Sequence, residues 1–436
     1  MLNALIIDLH ISLYMKKIWN ALLIGFLLIG CATAKKSIQK TTQNSLNGRF
    51  YDNQFTGFLL FDPESKDTIY SNNGSKYFTP ASNTKIFTLY TALKVLPDSI
   101  PSIKYIEQNE TLFVEGTGDP SLLHPFFKDR STLDFLNKHR QIALYLNNFE
   151  DDKLGPGWSW GDYQYYYQPE RSAFPMYGNV VTIHNQKGIQ VVPSYFTDSV
   201  VNIGFSKNRE LEKNTFYYAP SRRDTVEIPY RTDSTLTRKL LESELDKKIM
   251  LADKMPNGKK TMHYSIPTDS MCKRMMRESD NFLAEQLLIL TSATLSDTLN
   301  SKKAREYMLE NHLTQLRQKP RWVDGSGLSR YNLFSPESMV HVLHKMYVEI
   351  PRKRLFDFFP AGGVSGTLEN WYPGNPEPYI YAKTGSLSNN HCVSGYLVTK
   401  SGKTLIFSFM NNHFRHSSSE IKKRMQSLFE EIRDTY

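Results

Sequence analysis

The strongest helical pattern in the chain follows Phe78. Apolar residues recur there at the spacing of one helix face, at Ile86, Leu89, Tyr90 and Leu93. Thr79 is a residue type that caps helices, and Pro80 suits the first helical position because proline has no N–H to lose. The pattern therefore predicts a buried helix with Ser82 in its first turn, where unpaired N–H groups and the helix dipole favour negative charge.

Both ends of the chain carry further strand and helix patterns. Residues 56–61 and 68–71 predict a β-hairpin. Helical patterns follow at residues 270–276, 282–289, 304–309 and 336–347. Strand patterns appear at residues 379–384, 392–399 and 404–410, before a closing helix from about Ser418. A sheet assembled from both chain ends, with helices on its faces, is an α/β architecture.

The middle of the chain has a different texture. From residue 97 to 265, short apolar runs such as 111–115, 179–184 and 188–193 alternate with Gly, Pro, Asn and Asp. This texture predicts a β-rich insertion at 97–265 within a domain formed by 51–96 and 266–436. Aromatic residues crowd into residues 158–177, as a carbohydrate platform or, more commonly, as core packing.

The N-terminal segment carries a targeting pattern. Lys16 and Lys17 precede an apolar run over residues 18–30, which is too short to span a bilayer but suits a signal-peptide core. The residues up to Cys31 resemble the lipobox of bacterial lipoproteins, in which the cysteine is lipidated. We therefore expect a signal peptide over 1–30, lipidation of Cys31 and a polar tether over 31–50, with Met15 a second possible start. A plain secretory signal is the alternative.

Net charge and cysteine content limit the possible compartments and binding partners. The formal net charge is +9, which tolerates anionic envelope polymers. The export signal and the lack of a basic motif with interleaved aromatics argue against nucleic acid. Beyond the signal peptide only Cys272 and Cys392 remain, either as a bridge or as two buried thiols. The chain has neither His-Glu-x-x-His nor a cysteine cluster, so we expect no metal and no cofactor.

Ser82 and Lys85 are the first candidate catalytic pair. Residues three apart share one helix face. Burial among apolar neighbours, together with a nearby cation such as Lys383, would depress the pKa of Lys85 and let its free amine take the hydroxyl proton. Alone the Ser-x-x-Lys spacing is weak, since it recurs at residues 37–40, 270–273 and 419–422. An N-terminal serine with a solvated lysine is the ordinary interpretation.

Two further motifs follow in order. Ser279 and Asn281 lie at a break between two predicted helices, where the loop can direct them into a cleft, although helix capping also explains such a triplet. Lys383, Thr384 and Gly385 end a predicted strand. Because Gly385 has no Cβ, a substrate backbone can lie close against it; a plain strand-end turn is the alternative.

Together the three motifs make a strong signal. Ser-x-x-Lys, Ser-x-Asn and Lys-Thr-Gly in this order are the set of penicillin-binding proteins and class A β-lactamases. The fuller sequence resembles class C low-molecular-mass penicillin-binding proteins, the D-alanyl-D-alanine carboxypeptidase/endopeptidase family. Further matches lie at residues 112–122, 324–330 and 361–368, and the resemblance spans about residues 55–412. It implies a β-lactamase/transpeptidase-like domain, an antiparallel sheet flanked by helices, with a β-rich inserted subdomain.

The resemblance also implies roles for the motif residues. Ser82 attacks the carbonyl of the penultimate D-alanine and Lys85 accepts its proton. The N–H groups of Ser82 and Ser386 form the oxyanion hole. Ser279 relays a proton to the leaving amine, and Asn281 holds the substrate amide.

On the same basis, Lys383 and Thr384 bind a substrate carboxylate, and water releases the acyl-enzyme. The implied partners are peptidoglycan stem peptides, β-lactams as covalent inhibitors, and a membrane reached through the lipid anchor on the periplasmic side of the cell envelope.

Three other functions remain open on sequence. A β-lactamase or an esterase on the same scaffold differs mainly in how fast the acyl-enzyme is hydrolysed. A wall-binding lipoprotein without turnover is the non-enzymatic alternative. A Ser-His-Asp triad is disfavoured because Gly-x-Ser-x-Gly is absent and His391, His413 and His416 look like surface residues at strand ends.

Overall fold

The computed structural model describes residue 15 and residues 35–436, so Cys31 and, apart from Met15, the predicted signal peptide lie outside the described residues. Within the described part the strands are β1 Phe55–Asp62, β2 Asp67–Asn72, β3 Ser99–Gln108, β4 Thr111–Gly116, β5 Gln141–Tyr145, β6 Val180–His184, β7 Gln190–Val192, β8 Val200–Val201, β9 Phe216–Tyr217, β10 Val226–Pro229, β11 Met250–Leu251, β12 Thr261–Pro267, β13 Ile380–Leu387, β14 Asn390–Val398 and β15 Thr404–Asn412.

At both chain ends, helices lie where the spacing of apolar residues predicts them. They are α1 (35–46), α2 Lys85–Val95, α3 Ser131–Asn137, α4 Ser234–Leu245, α5 Thr268–Arg277, α6 Asn281–Leu295, α7 Ser301–Asn311, α8 Pro336–Glu349, α9 Arg352–Phe358 and α10 Ser418–Thr435. Short 3₁₀ turns lie between them at Arg49–Tyr51, Ala81–Thr84, Trp160–Gln164, Tyr177–Asn179, Ser194–Ser199 and Gly366–Leu368.

Both chain ends form one antiparallel sheet, as predicted. Its strand order is β13-β14-β15-β1-β2, and β1 pairs with both β2 and β15. Successive side chains alternate between the two faces. Leu59 packs with α2, α5, α6 and α8 on one face, whereas Phe58 and Leu60 pack with α1 and α10 on the other. The sheet is therefore buried between two helical layers, and helix α2, which follows Ser82, lies in the first.

Residues 35–46 correct one prediction. They were expected to be part of a featureless tether, but they form helix α1. Ile38 and Leu46 are buried against the sheet. The Gln39 side-chain amide donates to the Ile69 carbonyl at 2.8 Å, and Lys35 pairs with Asp67 at 3.1 Å. These two apolar positions are eight residues apart in a mostly polar segment. That spacing is too sparse for the sequence to indicate an amphipathic helix.

The strands between the two halves form separate sheets. A five-stranded sheet has the order β11-β5-β4-β3-β12, and β10-β6-β7 and β8-β9 form smaller ones. The strands predicted near 111–115, 179–184 and 188–193 are present. Helices α3 and α4 were not predicted. Helix α4 is capped by Asp233, which accepts the Leu236 N–H, and buries Leu240 and Leu241 against these sheets.

The aromatic segment 158–177 is partly buried and partly exposed. Tyr163, Phe174 and Tyr177 are buried, as core packing requires. Trp160 is 78% exposed and Tyr166 is 66% exposed, so part of the segment faces solvent.

Cys272 and Cys392 are both buried free thiols, which resolves the alternative left open by the sequence. Over the described residues, the chain contains no helix with the length and apolar character needed to cross a bilayer.

Candidate active site

Ser82 lies in a 3₁₀ turn, Ala81–Thr84, immediately before α2. The sequence placed it in the first turn of an α-helix capped by Thr79, and that local prediction is wrong. Thr79 is instead fixed from the sheet: Asn412 Oδ1 accepts its N–H at 2.7 Å, and Asn412 Nδ2 donates to its carbonyl at 3.1 Å. The turn that carries Ser82 is therefore held by tertiary contacts rather than by its own cap.

Two glycines let neighbouring segments close on this turn. A Cβ at Gly385 would lie 2.4 Å from the Pro80 carbonyl oxygen and 3.0 Å from the Ser82 nitrogen. Gly327 has φ +87°, and a Cβ there would lie 1.9 Å from the Ala81 carbonyl oxygen. The sequence assigned the space beside Gly385 to a substrate backbone, whereas the protein's own backbone occupies it. Strand β13 can thus approach the Ser82 N–H closely.

Lys85 is fully buried and has three polar neighbours. Its Nζ lies 3.0 Å from Ser82 Oγ, 2.6 Å from Asn281 Oδ1 and 2.7 Å from the Ser326 carbonyl oxygen. A neutral amine has two N–H bonds and one lone pair. The two acceptors take the two N–H bonds, so the lone pair remains for the Ser82 hydroxyl to donate to.

Burial shifts Lys85 toward this neutral form. Burial lowers the pKa of Lys85 to about 8, against the carboxylates of Asp324, Glu285 and Asp280, which raise it. The sequence attributed part of this lowering to Lys383, but in the structure burial alone lowers the pKa of Lys85. In the structure, burial and the repulsion from Lys85 lower the pKa of Lys383 well below its usual range.

Ser279 lies in the cleft and is hydrogen-bonded to Lys383. It lies between α5 and α6, as predicted, with φ +59° in the left-handed region. Asp280 caps α6 by accepting the Leu283 N–H at 3.0 Å. Ser279 Oγ accepts a hydrogen bond from Lys383 Nζ at 2.9 Å, and Lys383 also donates to the Thr384 carbonyl at 2.8 Å.

The end of β13 supplies hydroxyl groups. Thr384 Oγ1 donates to Thr367 Oγ1 at 2.8 Å, and Ser386 Oγ lies 2.8 Å from His391 Nδ1. The prediction that His391 is a surface residue is wrong, since it is 1% exposed, whereas His413 and His416 are exposed as predicted. Burial lowers the pKa of His391 to about 3, so its ring is neutral.

One cleft of about 1000 Å³ collects the motif residues Ser82, Ser279, Asn281 and Ser386. Its lining also includes Tyr166 and Tyr167 from the middle of the chain. Asn281 connects these two parts of the lining, because its Oδ1 accepts from Lys85 and its Nδ2 donates to the Tyr167 carbonyl at 2.9 Å. One amide hydrogen of Asn281 is left for a ligand.

A comparison with protein families decides the identity. The model described as the D-Ala-D-Ala carboxypeptidase 3 (S13) family matches residues 39–199 and 224–432. The chain belongs to this family. The resemblance inferred from the motifs is thereby confirmed, and this S13 chain is a serine-type D-Ala-D-Ala carboxypeptidase of the penicillin-binding group, a cell-envelope enzyme that acts on peptidoglycan.

Individual relatives agree with the S13 assignment. The chain is 23% identical to D-alanyl-D-alanine carboxypeptidase DacB of Haemophilus influenzae, over 95% of this chain and 97% of that protein. It is 24% identical to the D-alanyl-D-alanine carboxypeptidase of Actinomadura sp. (strain R39), over 82% of this chain and 77% of that one. The crystal structure of penicillin-binding protein 4 from H. influenzae superposes with a TM-score of 0.69 at 22% identity, covering 89% of this chain and 97% of that chain. That match confirms the predicted fold.

Sequence reasoning missed the carboxylates beneath Lys85 in this S13 enzyme. Glu285 accepts the Ser326 N–H at 2.7 Å and lies 3.5 Å from Arg171, with both side chains 1% exposed. Asp324 accepts from the Trp158 indole at 2.9 Å and from Gly327 N, Ser329 N and Asn332 Nδ2. Together they fix the loop so that the Ser326 carbonyl faces Lys85. For Asp324 the available signal was its place beside two glycines in the matching segment 324–330; the sequence carried no such signal for Glu285.

Proposed function

We propose that this chain cleaves D-alanyl-D-alanine termini and cross-links of peptidoglycan through an acyl-enzyme on Ser82, with Lys85 as the general base. The single observation that carries the assignment is the arrangement at Lys85 Nζ. Two acceptors occupy its N–H bonds, and the Ser82 hydroxyl lies 3.0 Å away on the remaining side. A serine hydroxyl is a weak nucleophile until a base within hydrogen-bond reach takes its proton.

In the first step the Ser82 hydroxyl transfers its proton to Lys85 as its oxygen attacks the carbonyl of the penultimate D-alanine. The negative charge that develops on that carbonyl oxygen is stabilised by the N–H groups of Ser82 and Ser386. Support for this pairing comes from Gly385, which lets β13 approach the Ser82 nitrogen so closely that a Cβ would lie only 3.0 Å from it.

In the second step the carbon–nitrogen bond breaks and the leaving amine needs a proton. Ser279 gives its hydroxyl proton to that amine and takes one from Lys383, whose Nζ lies 2.9 Å away. The proton gained by Lys85 in the first step keeps the net charge of the site unchanged. Water then attacks the acyl-enzyme and gives up a proton through Ser279 to Lys383, while Lys85 returns its proton to Ser82 Oγ, so the ester bond breaks and both lysines regain their starting states.

Lys383, Thr384 and Ser386 bind the carboxylate of the leaving residue. An Nζ–H of Lys383 and the Ser386 hydroxyl are donors of the kind that carboxylates take, and the Thr384 hydroxyl joins them when it turns away from Thr367 Oγ1. His391 orients the Ser386 hydroxyl: if Nδ1–H donates to Ser386 Oγ, the hydroxyl hydrogen is free for the substrate. This tautomer leaves the buried Nε2, which has no partner among the described residues, as an unpaired acceptor rather than an unpaired donor.

Two assays test the proposed chemistry in sequence. Labelling with a fluorescent penicillin tests whether the enzyme forms an acyl-enzyme. Digestion of purified muropeptides then identifies the product. Loss of terminal D-alanine from monomers, or conversion of cross-linked dimers into monomers, supports the proposal, and hydrolysis of the penicillin with no change in either muropeptide contradicts it.

We further propose that the protein is exported and lipid-anchored through Cys31. The support is the sequence pattern of Lys16 and Lys17, the apolar run 18–30 and Cys31. The described part of α1 starts at residue 35 and packs on the domain, and Cys31 lies only four positions before it in the sequence. A lipid on Cys31 would therefore hold the domain close to the membrane surface.

The anchor has its own test. Replacing Cys31 with serine should abolish incorporation of labelled fatty acid while the wild-type protein incorporates it. Equal labelling of the two proteins would contradict the anchor without affecting the catalytic proposal.

A further inference from the structure

A second cavity extends from the catalytic serine toward the C-terminal helix. Its volume is about 360 Å³, and its lining includes Ser82, Thr367, Thr384, Ser386 and Lys422. Thr384 and Ser386 belong to the segment proposed above to bind the carboxylate of the leaving residue. The cavity therefore lies on the leaving-group side of the scissile bond.

The cavity is larger than a leaving alanine needs. At about 30 Å³ for each water molecule in the liquid, it has room for about twelve. A terminal alanine carries only a methyl group beyond its carboxylate. A leaving residue with a longer side chain would fill the space that alanine leaves to water.

Lys422 gives this cavity its charge. It lies on α10, is half-buried, and its ammonium is 4.7 Å from the centroid of the Trp371 ring. Within residues 35–436, no carboxylate forms an ion pair with it, and neither Asp nor Glu lines the cavity. The helix neighbour Lys423 differs, because it is exposed to solvent.

The remaining lining groups also suit an anion. Apart from Lys422, they are hydroxyl groups and the imidazole of His391, which is neutral and adds no charge of its own. Hydroxyl donors with one lysine ammonium form a recognisable carboxylate-binding set. A neutral or cationic side chain would leave the Lys422 ammonium without a counter-charge.

We propose that Lys422 and this cavity form a subsite for a second carboxylate on the leaving residue. The inference rests on the proposed function and deepens it: the preferred substrate is a peptide in which the residue on the amine side of the scissile bond carries an acidic side chain or a further carboxylate, as the amine-donating strand of a peptidoglycan cross-link can. Alanine is then a substrate that uses only part of the site.

The test uses three synthetic peptides with one acyl part. They are diacetyl-L-lysyl-D-alanyl-D-glutamate, its D-glutamine analogue of nearly the same shape, and diacetyl-L-lysyl-D-alanyl-D-alanine. For the wild-type protein we expect kcat/KM to be about tenfold higher with the D-glutamate peptide than with the D-glutamine peptide, the size of one charge-assisted contact in a half-exposed site.

Lys422 variants then locate the preference. Lys422→Met should bring the ratio to about one, because methionine has a similar length but no charge. Lys422→Arg should retain the ratio, because arginine keeps the positive charge. Lys423→Met is the matched control: it removes an equal charge from the exposed face of the same helix and should leave the ratio unchanged. Thermal unfolding of each variant checks that the domain is intact.

The outcomes separate this inference from the proposed function. A wild-type ratio near one, or a ratio that survives in Lys422→Met, overturns the subsite while hydrolysis of the D-alanine peptide still supports the peptidase. If the wild-type protein hydrolyses none of the three peptides, the proposed function fails and the subsite fails with it.

Discussion

The two buried lysines of the cleft show how the same side chain can be prepared for opposite tasks. Lys85 has carboxylates on its inner side, from Asp324 and Glu285, and acceptors that hold two of its bonds. Lys383 has the Ser279 hydroxyl and the Thr384 carbonyl, and no ion pair to a carboxylate within residues 35–436. Both ammonium groups are fully buried. The difference lies in what compensates their charge.

That difference explains the proposed roles. Lys85 can lose a proton and keep every contact, because its neutral amine still donates twice and then accepts from Ser82. Lys383 has no carboxylate beside it among residues 35–436, so burial and the repulsion from Lys85 lower its pKa and disfavour its charged form. A substrate carboxylate supplies the missing charge and raises the pKa of Lys383, so protonation of Lys383 and substrate binding support each other.

The largest expected effect is on the Lys85 side. Lys85→Ala should reduce the rate of acylation by penicillin by about 10²–10⁴-fold, the usual value of general-base assistance. Lys85→Arg should not restore it, because a guanidinium stays protonated. Stopped-flow acylation measures both, with Lys94→Arg on the exposed end of α2 as the control. Normal acylation by Lys85→Arg would show that the base lies elsewhere.

The effect of replacing Lys383 should depend on whether the substrate carries a terminal carboxylate. Lys383→Met should lower kcat/KM by about 10–100-fold for peptides with a free terminal carboxylate, the value of a hydrogen bond to a charged group. With the terminus converted to an amide the variant should lose less than with the acid, because only the proton supply through Ser279, and not the carboxylate contact, is then removed. If the variant slows the amide as much as the acid, Lys383 does not bind the carboxylate.

The pH dependence of acylation should report Lys85. The amine must be neutral to accept the proton, and burial lowers its pKa to about 8. With a penicillin that does not titrate in this range, the acylation rate should rise about tenfold per pH unit well below that value and level off above it. A rate that is constant from about pH 6 to about pH 9, or that falls as pH rises, would contradict a lysine base.

The smallest expected effect tests whether the carboxylates near Lys85 raise its pKa. Asp280 raises the pKa of Lys85 and also caps α6. Asparagine caps helices as well as aspartate does, so Asp280→Asn should move the midpoint of the rising limb to lower pH with the fold preserved. Glu278→Gln, at an exposed position two residues away, is the control and should leave the midpoint in place. A shift to higher pH in Asp280→Asn would contradict the electrostatic account.

The sequence predicted the parts of the molecule that periodicity or a local motif encodes. The hairpin, the sheet built from both ends and the helices at 270–276, 282–289 and 336–347 all follow from the spacing of apolar residues. Ser82, Lys85, Ser279 and Lys383 were found because three short motifs occur in a fixed order, and the structure brings all four to one place.

What the sequence could not provide was set by distant contacts. The turn that holds Ser82 is fixed by Asn412, 330 positions along the chain, rather than by the local cap that Thr79 suggested. Glu285 and Asp324 look like ordinary surface acids until folding buries them beneath Lys85. His391 was predicted to be exposed because strand ends usually are, yet it lies beneath Ser386.

The most direct test of the central claim is the identity of the acylated residue. After reaction with penicillin, the protein is digested and the penicilloyl peptide is sequenced by tandem mass spectrometry. We predict one adduct, on Ser82 in the peptide that contains Lys85, and no adduct in Ser82→Ala. An adduct on any other residue of the wild-type protein, or undiminished labelling of Ser82→Ala, would contradict the account.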